Sequence, residues 1–363
     1  MRNACRSPED APWPGPAPLL ALQAAALALV VLLTVLGNLV VILAVAQSPA
    51  LRAPTHALIA NLAVADLLLG VAVLPLSAVR EVSGFWLLGR QLCEAWLALD
   101  VLCCTASILS LCGISVDRYV GVSRPLAYAR IMTGGRVRAM IAGVWVLALA
   151  ISLAPLLGWR DETPPAALQC HVNKQLGYVI FSACGSFYVP AAVILVLYAL
   201  VYRAAARHSR FLRRGSRVTR AAVTLRVHAG DQTQRVAGPD RPAGGAASFR
   251  REKKAAQTLG IVVGGFLLCW FPFFVVLPLD AACAACDLSG APFTVTFWLG
   301  YCNSCLNPFI YACWSRELRQ AFRAVACRRR PRPALAPSRP TGSAGRVVAR
   351  NWSAAPSTGF GLS

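Results

Sequence analysis

The chain has 363 residues, 57% hydrophobic and only 14% charged, with a formal net charge of +21. Soluble domains carry about 25% charged residues, so the composition excludes an ordinary soluble domain and favours one membrane bundle over the two domains that length alone suggests. Nucleic acid, the usual partner of so basic a chain, is excluded because the aromatics lie inside apolar runs and are not interleaved with Arg and Lys.

A membrane-crossing helix needs about 20 apolar residues. Marking every Asp, Glu, Lys and Arg leaves seven sufficient windows. The first lies between Asp10 and Arg52, after a short segment 1–17. Glu9 and Asp10 and the lack of a clear small-residue cleavage site argue against a cleaved signal peptide, so this window is expected to act as its own insertion signal. The second runs from Arg52 to Arg80, broken only by Asp66, and the third from Glu94 to Asp117, broken only by Asp100. Four uninterrupted windows follow: Arg138 to Arg160, Lys174 to Arg203, Lys254 to Asp280, and Asp287 to Arg316. A piece at 314–327 is amphipathic, with Leu318, Ala321, Phe322 and Val325 on one face and Arg316, Arg319 and Arg323 elsewhere, which suits a helix lying along the membrane. The predicted fold is therefore an all-α membrane protein, a seven-transmembrane helix bundle (18–313) with a short amphipathic eighth helix on the membrane surface.

Placing the N-terminus outside puts 30 basic residues in inner segments and 6 in outer ones, the asymmetry of inner loops. A multi-pass plasma-membrane protein with an extracellular N-terminus is expected. The third inner loop, about 204–250, and the tail 328–363 are Arg-, Gly-, Ser- and Pro-rich and are expected to be unfolded.

Charges inside spans cost roughly 2.5–3.5 kcal/mol on insertion scales and are functional by default. Asp100 has no basic residue in a neighbouring window, so an external protonated amine is its simplest partner; a protonated carboxyl bonded to Tyr or Ser is the alternative. Trp270, Phe273, Phe274, Phe297, Trp298 and Tyr301 lie at compatible depth and can surround an ammonium or simply pack. Ser182 and Ser186, spaced i, i+4, can bond ligand hydroxyls or their own helix carbonyls. Asp66, with Asn38, Ser107, Asn303 and Asn307, suits a sodium ion or a network of hydrogen bonds alone. Pro75, Pro155, Pro190, Pro272 and Pro308 are expected to kink their helices, and Trp270 beside Pro272 to couple ligand contact to helix swing. The 14 cysteines show no zinc-like pairing, and no nucleophile–base or metal spacing speaks for an enzyme.

Asp117-Arg118-Tyr119 ending the third helix, Cys269-Trp270-x-Pro272 in the sixth and Asn307-Pro308-x-x-Tyr311 in the seventh, together with Asn38, Asp66, Trp145 and Pro190, resemble the rhodopsin-like G-protein-coupled receptors. The stretches 100–107 (DVLCCTAS), 223–228 (VTLRVH), 248–263 (SFRREKKAAQTLGIVV) and 297–305 (FWLGYCNSC) are similar to alpha-1 adrenergic receptors in particular. The resemblance implies a catecholamine bound by Asp100, Val101, Cys104, Ser182, Ser186, Trp270, Phe273, Phe274, Phe297 and Tyr301. It implies a Cys93–Cys170 disulfide, an Arg118 held by Asp117 and Glu252, a rearranging pair Tyr198 and Tyr311, and palmitoylation of Cys327. Its implied partners are a Gq-class G protein acting through phospholipase C and calcium, with arrestin and kinases. Cys283 and Cys286 depart from that pattern and read as a local outer-loop disulfide. Lys174, Lys253 and Lys254 are the only lysines, so a retinal Schiff base in the last span is excluded. The alternatives are another aminergic receptor (dopamine, serotonin or alpha-2 type) and, remotely, an ion-coupled transporter using Asp66 and Asp100.

Overall fold

The computed structural model describes residues 17–159, 169–207, 243–283, 288 and 290–326, the stretch 243–259 by its backbone alone. Seven long helices form the molecule: α1 (Ala17–Gln47), α2 (Pro54–Ser83), α3 (Gly89–Ser123), α4 (Gly134–Leu153), α5 (Leu176–Arg207), α6 (Ala243–Ala282) and α7 (Ala291–Trp314). A short amphipathic α8 (Arg316–Ala326) follows. Among the described residues, six of the seven are long and apolar enough to cross a membrane. α7 has the length, at 24 residues, but Asn303, Ser304 and Asn307 dilute its apolar character. Helices α5 and α6 extend into the stretch expected to be the third inner loop, α5 to Arg207 and α6 from Ala243. The expectations for residues 1–16, Cys286, Cys327 and the tail, and for the Glu252 side chain, fall outside the described residues.

The helices pack inside-out relative to a soluble protein. α1 buries Thr34, Asn38, Val41 and Ala44 along one stripe, while Leu22, Leu29, Leu32 and Leu36 face outward. In lipid no hydrophobic gain favours one apolar face over another, so close backbone approach and polar contacts select the interface. Gly37 illustrates this: a Cβ there would stand 2.8 Å from Cγ of Pro308 on α7. α3 is the central element, touching α2, α4, α5 and α6, and α6–α7–α1 close the ring. Trp145 on α4 donates to Asn61 Oδ1 at 2.9 Å, and Asn61 Nδ2 donates to Ser110 on α3 at 2.8 Å, tying three helices through one amide.

Prolines shape the helices as their missing N–H requires. Pro308 leaves the Ser304 carbonyl without an intrahelical donor, and Asn38 Nδ2 supplies one at 3.0 Å. Pro278 does the same to Phe274, whose carbonyl accepts from the Tyr188 hydroxyl at 2.5 Å. Upstream of Pro75 and Pro190 the chain widens into single π turns, Leu69–Val73 and Cys184–Tyr188, a common way to absorb a kink. Pro155 corrects one expectation: α4 ends at Leu153, so this proline terminates the helix instead of bending it.

At the inner end α8 is joined back to the bundle. Leu318 and Ala321 are buried, and Glu317 pairs with His56 at the start of α2, 3.5 Å apart. Arg319, expected to face away, instead folds under α7 and donates to the carbonyls of Ala312 (2.9 Å) and Cys313 (2.6 Å). It thereby caps carbonyls that a helix end leaves open.

Candidate functional site

Between the helices, at the end of the bundle that carries the start of α3, lies a cavity of about 1250 Å³. Asp100, Val101, Cys104, Ser182, Ser186, Trp270, Phe273, Phe274 and Phe297, nine of the ten residues expected to hold a ligand, line it. The tenth, Tyr301, stands behind the carboxylate and donates to Asp100 Oδ1 at 3.0 Å. Cys104 Sγ reaches the same oxygen at 3.5 Å. Asp100 is 7% exposed, and among the described residues no basic side chain pairs with it. The Asp100 carboxylate thus opens onto the cavity, steadied by two neutral donors and with no basic side chain of the described residues bonded to it.

One side of the cavity is a continuous aromatic wall. Phe187 stacks on Phe274 with centroids 4.5 Å apart and planes 8° from parallel. Phe274 meets Trp270 and Phe273; Phe273 meets Phe297 at 5.4 Å, and Phe297 meets Tyr301 at 4.7 Å. On α5 the π turn Cys184–Tyr188 takes in Ser186 while Ser182 stands in the α-helical turn before it, so the two serines do not share a plain α-helical register. Ser182 donates to its own Val179 carbonyl at 3.2 Å, and Ser186 meets Thr105 of α3 at 2.8 Å.

The mouth is partly roofed by residues 169–175. A Cys93–Cys170 disulfide ties this strip to the start of α3 with Cα atoms 5.8 Å apart. Lys174 pairs with Asp280 of α6 at 2.8 Å. Arg80, Trp86 and His171 also line the upper cavity; none was marked as a site residue from sequence, because loop and helix-end positions carry no periodic signal. His171 is exposed at the rim; partial desolvation there, then the charges of Arg80 and Lys174, hold its pKa below the ordinary histidine value. Cys283 is disulfide-bonded, with Cys286 outside the described residues.

Beneath the cavity Asp66 is fully buried. Ser107 and Ser304 each donate to Oδ1 at 2.9 Å, and Asn307 Nδ2 donates to Oδ2 at 2.8 Å. Ser304 takes the place expected for Asn303, whose Nδ2 is buried without a partner among the described residues. Next to each other on α7, these two residues point about 100° apart, and the turn before Pro308 aims Ser304 at the carboxylate. Asn307 leaves its Oδ1 buried and unpartnered. One carboxylate, two hydroxyls and an orphaned amide oxygen form an oxygen-only donor set that fits a small hard cation. Among the described residues no cluster of three His, Cys, Asp or Glu suits a transition metal.

At the inner end Asp117, fully buried, accepts from Arg118 Nε at 2.9 Å, from Thr55 at 2.6 Å and from Tyr128 at 2.7 Å. Arg118 also bonds Thr55. Thr55 and Tyr128 were not expected there. Burial and the Asp117 carboxylate raise the Tyr128 pKa above the usual tyrosine value, so its hydroxyl is a donor at neutral pH. Tyr119 lies in an inner crevice with Arg203 and Arg207 of α5. Tyr198 and Tyr311 stand apart in their contacts: the Tyr198 hydroxyl packs on the α6 backbone at Gly260, and the buried Tyr311 hydroxyl has no hydrogen-bond partner among the described residues.

The family described as 7 transmembrane receptor (rhodopsin family) matches residues 37–311. The chain is 49% identical over 313 residues to the alpha-1A adrenergic receptor of Homo sapiens, covering 81% of this chain and 65% of that receptor. It is 49% identical over 333 residues to the alpha-1D adrenergic receptor of Sus scrofa, covering 85% of this chain and 58% of that receptor. To the human alpha-1D adrenergic receptor it is 50% identical over 327 residues, covering 85% and 57%. The chain therefore spans 65% or less of the length of these three relatives. A multi-pass helical bundle carrying Asp117-Arg118-Tyr119, Trp270-x-Pro272 and Asn307-Pro308, matched over 37–311, belongs to the rhodopsin family of seven-transmembrane receptors, which are not enzymes.

Proposed function

We propose that this chain is a catecholamine receptor of the alpha-1 adrenergic type, responding to noradrenaline and adrenaline at the outer face and activating a Gq-class G protein, phospholipase C and calcium release. The observation that carries the reading is Asp100, a buried carboxylate facing a cavity with no basic partner among the described residues. A protonated amine placed there gains an ion pair in a low-dielectric setting and cation–π attraction of about 0.5–2 kcal/mol per ring from the adjoining aromatic wall. Ser182 and Ser186 each spend their hydroxyl proton on a nearby oxygen or share it, which leaves lone pairs to accept from catechol hydroxyls. The basic excess of the inner segments supports an extracellular N-terminus, and arrestin and kinases are the further partners this reading brings.

Activation follows from differential affinity: a ligand that fits the cavity better when α6 has swung favours that state. Trp270 lies between cavity and kink, and Arg118, tied to Asp117 in the described state, is the residue released toward the G protein. Sodium, bound by Asp66 with Ser107, Ser304 and the Asn307 amide, would supply a positive charge that favours the closed packing around the carboxylate. Asp100→Ala, expressed in cells, tests the core claim by catecholamine binding and calcium release. A loss of affinity of at least about a hundredfold is expected for a buried charge pair; retained affinity sinks the reading. Calcium release across a panel of biogenic amines separates it from a dopamine, serotonin or alpha-2 type.

A further inference from the structure

The upper cavity is lined by a cation that makes no ion pair among the described residues. Of the three strongly basic side chains lining the cavity, Arg90 is paired with Glu94 at 2.8 Å and Lys174 with Asp280 at 2.8 Å. Arg80, at the outer end of α2, forms no ion pair among the described residues. The adjacent Glu81 is not bonded to it. Its guanidinium instead lies 5.8 Å from the centroid of the Trp96 ring, and the side chain is partly buried. A guanidinium seated over an indole, with its edge on a cavity, is an arrangement that leaves its fork of N–H donors to a planar anion.

The position of Arg80 relative to Asp100 is fixed by a short chain of contacts. Tyr301 donates to Asp100 at 3.0 Å, and Ser77 meets the Tyr301 hydroxyl at 3.4 Å. Arg80 follows Ser77 by three residues, on the same face about one turn, roughly 5 Å, further out. The cavity is thus bipolar. An anion lies at its floor, and a cation lies a turn above it on the α2–α7 side, away from the α5 serines.

We propose, resting on the amine reading of Asp100, that Arg80 forms a second subsite that binds a carboxylate or other acidic group carried on a short arm from the ligand's amine nitrogen. The ammonium sits on Asp100, the ring points to α5, and the nitrogen substituent is the part of the ligand that runs toward α2. A neutral arm leaves the Arg80 donors to water; an acidic one gains a charge-assisted fork. His171 lines the same cavity, within electrostatic reach of Arg80, and offers the acid a second polar contact.

The test uses the full chain in membranes and a set of phenethylamines: the parent amine, its N-carboxyalkyl derivatives of increasing arm length, and the matching carboxamides. Competition binding is expected to favour the acid over its amide by about tenfold at the best arm length, the usual scale for one added charge-assisted hydrogen bond. Arg80→Gln should bring that ratio close to one, and Arg80→Lys should keep part of it; saturable binding of the parent amine shows that each variant is folded. Equal affinity of acid and amide for the unmodified chain, with the parent amine bound, overturns the subsite alone. Failure of the parent amine to bind overturns the amine reading and the subsite with it. Inorganic phosphate that strengthens parent-amine binding, without any acid-over-amide preference, would assign Arg80 to a free anion and overturn the tethered acid.

Discussion

The indole of Trp270 packs directly on the backbone of α7 at Gly300: a Cβ on that glycine would stand 2.7 Å from Cζ3 of the ring and 2.8 Å from Cε3. Two residues beyond the indole, Pro272 interrupts the hydrogen-bond ladder of α6. The ring is therefore a wedge between the proline segment of α6 and the backbone of α7, lining the cavity.

Gly300→Ala forces that wedge to move. Overpacking a tight contact costs about 1–3 kcal/mol, so the unfolding midpoint in detergent should fall. Because the displaced ring abuts the bend, ligand-free nucleotide exchange on a co-expressed G protein should rise. A lower midpoint with unchanged basal exchange would reduce the contact to packing alone.

Asn38 and Pro308 should be energetically coupled. Asn38→Ala leaves the Ser304 carbonyl buried without its donor, a loss of about 1–3 kcal/mol. In a Pro308→Ala background residue 308 regains an N–H for that carbonyl, and the penalty of Asn38→Ala should shrink by about 0.5 kcal/mol or more. Strictly additive midpoints in the double-mutant cycle would refute the pairing.

Sodium should stabilise the receptor through Asp66. Binding to the folded state alone adds about 2.7 kcal/mol when the ion stands near a hundred times its Kd, so the midpoint should rise when choline is exchanged for sodium at constant ionic strength. Asp66→Asn should abolish that rise. An identical sodium shift in the variant would place the ion elsewhere.

His171 makes stability depend on mild acid. Its pKa in the folded chain lies below the ordinary 6.5, so the unfolded chain takes up the proton first as pH falls. Protons bound more by the unfolded state lower stability as pH drops. The midpoint difference between the unmodified chain and His171→Gln should therefore be small at neutral pH and should turn against histidine as pH falls below 6.5. Parallel midpoints across that window would show that His171 carries no such burden.

Asp66 and Asp100 were legible from sequence because a charge inside an apolar run has so few explanations, and Asp117 through the Asp-Arg-Tyr motif that ends the third window. Asp66, Asp100 and Asp117 each prove buried and each anchors a cluster. What surrounds them was legible only where side-chain type and depth sufficed, as for the aromatic wall. Ser304 was missed in favour of Asn303 because adjacent helix positions differ by a rotation of about 100°, which side-chain type does not reveal. The π turns Leu69–Val73 and Cys184–Tyr188 have no compositional mark, yet one of them resets the serines of α5. Thr55 and Tyr128 reach Asp117 from separate elements, a convergence that spacing along one helix cannot disclose. Tyr188 closes the carbonyl freed by Pro278, and that pairing spans two helices whose register only the folded chain reveals.

The grip of Arg319 on the last carbonyls of α7, with Glu317 on His56, has a practical corollary for handling the chain. A stop or fusion junction placed before residue 316 would strip the stopper from α7 and loosen the helix that carries Asn307 and Tyr311. Junctions after residue 326 preserve it. The short amphipathic helix is best regarded as the C-terminal clamp of the seventh long helix, and shortened versions of this protein should be cut accordingly.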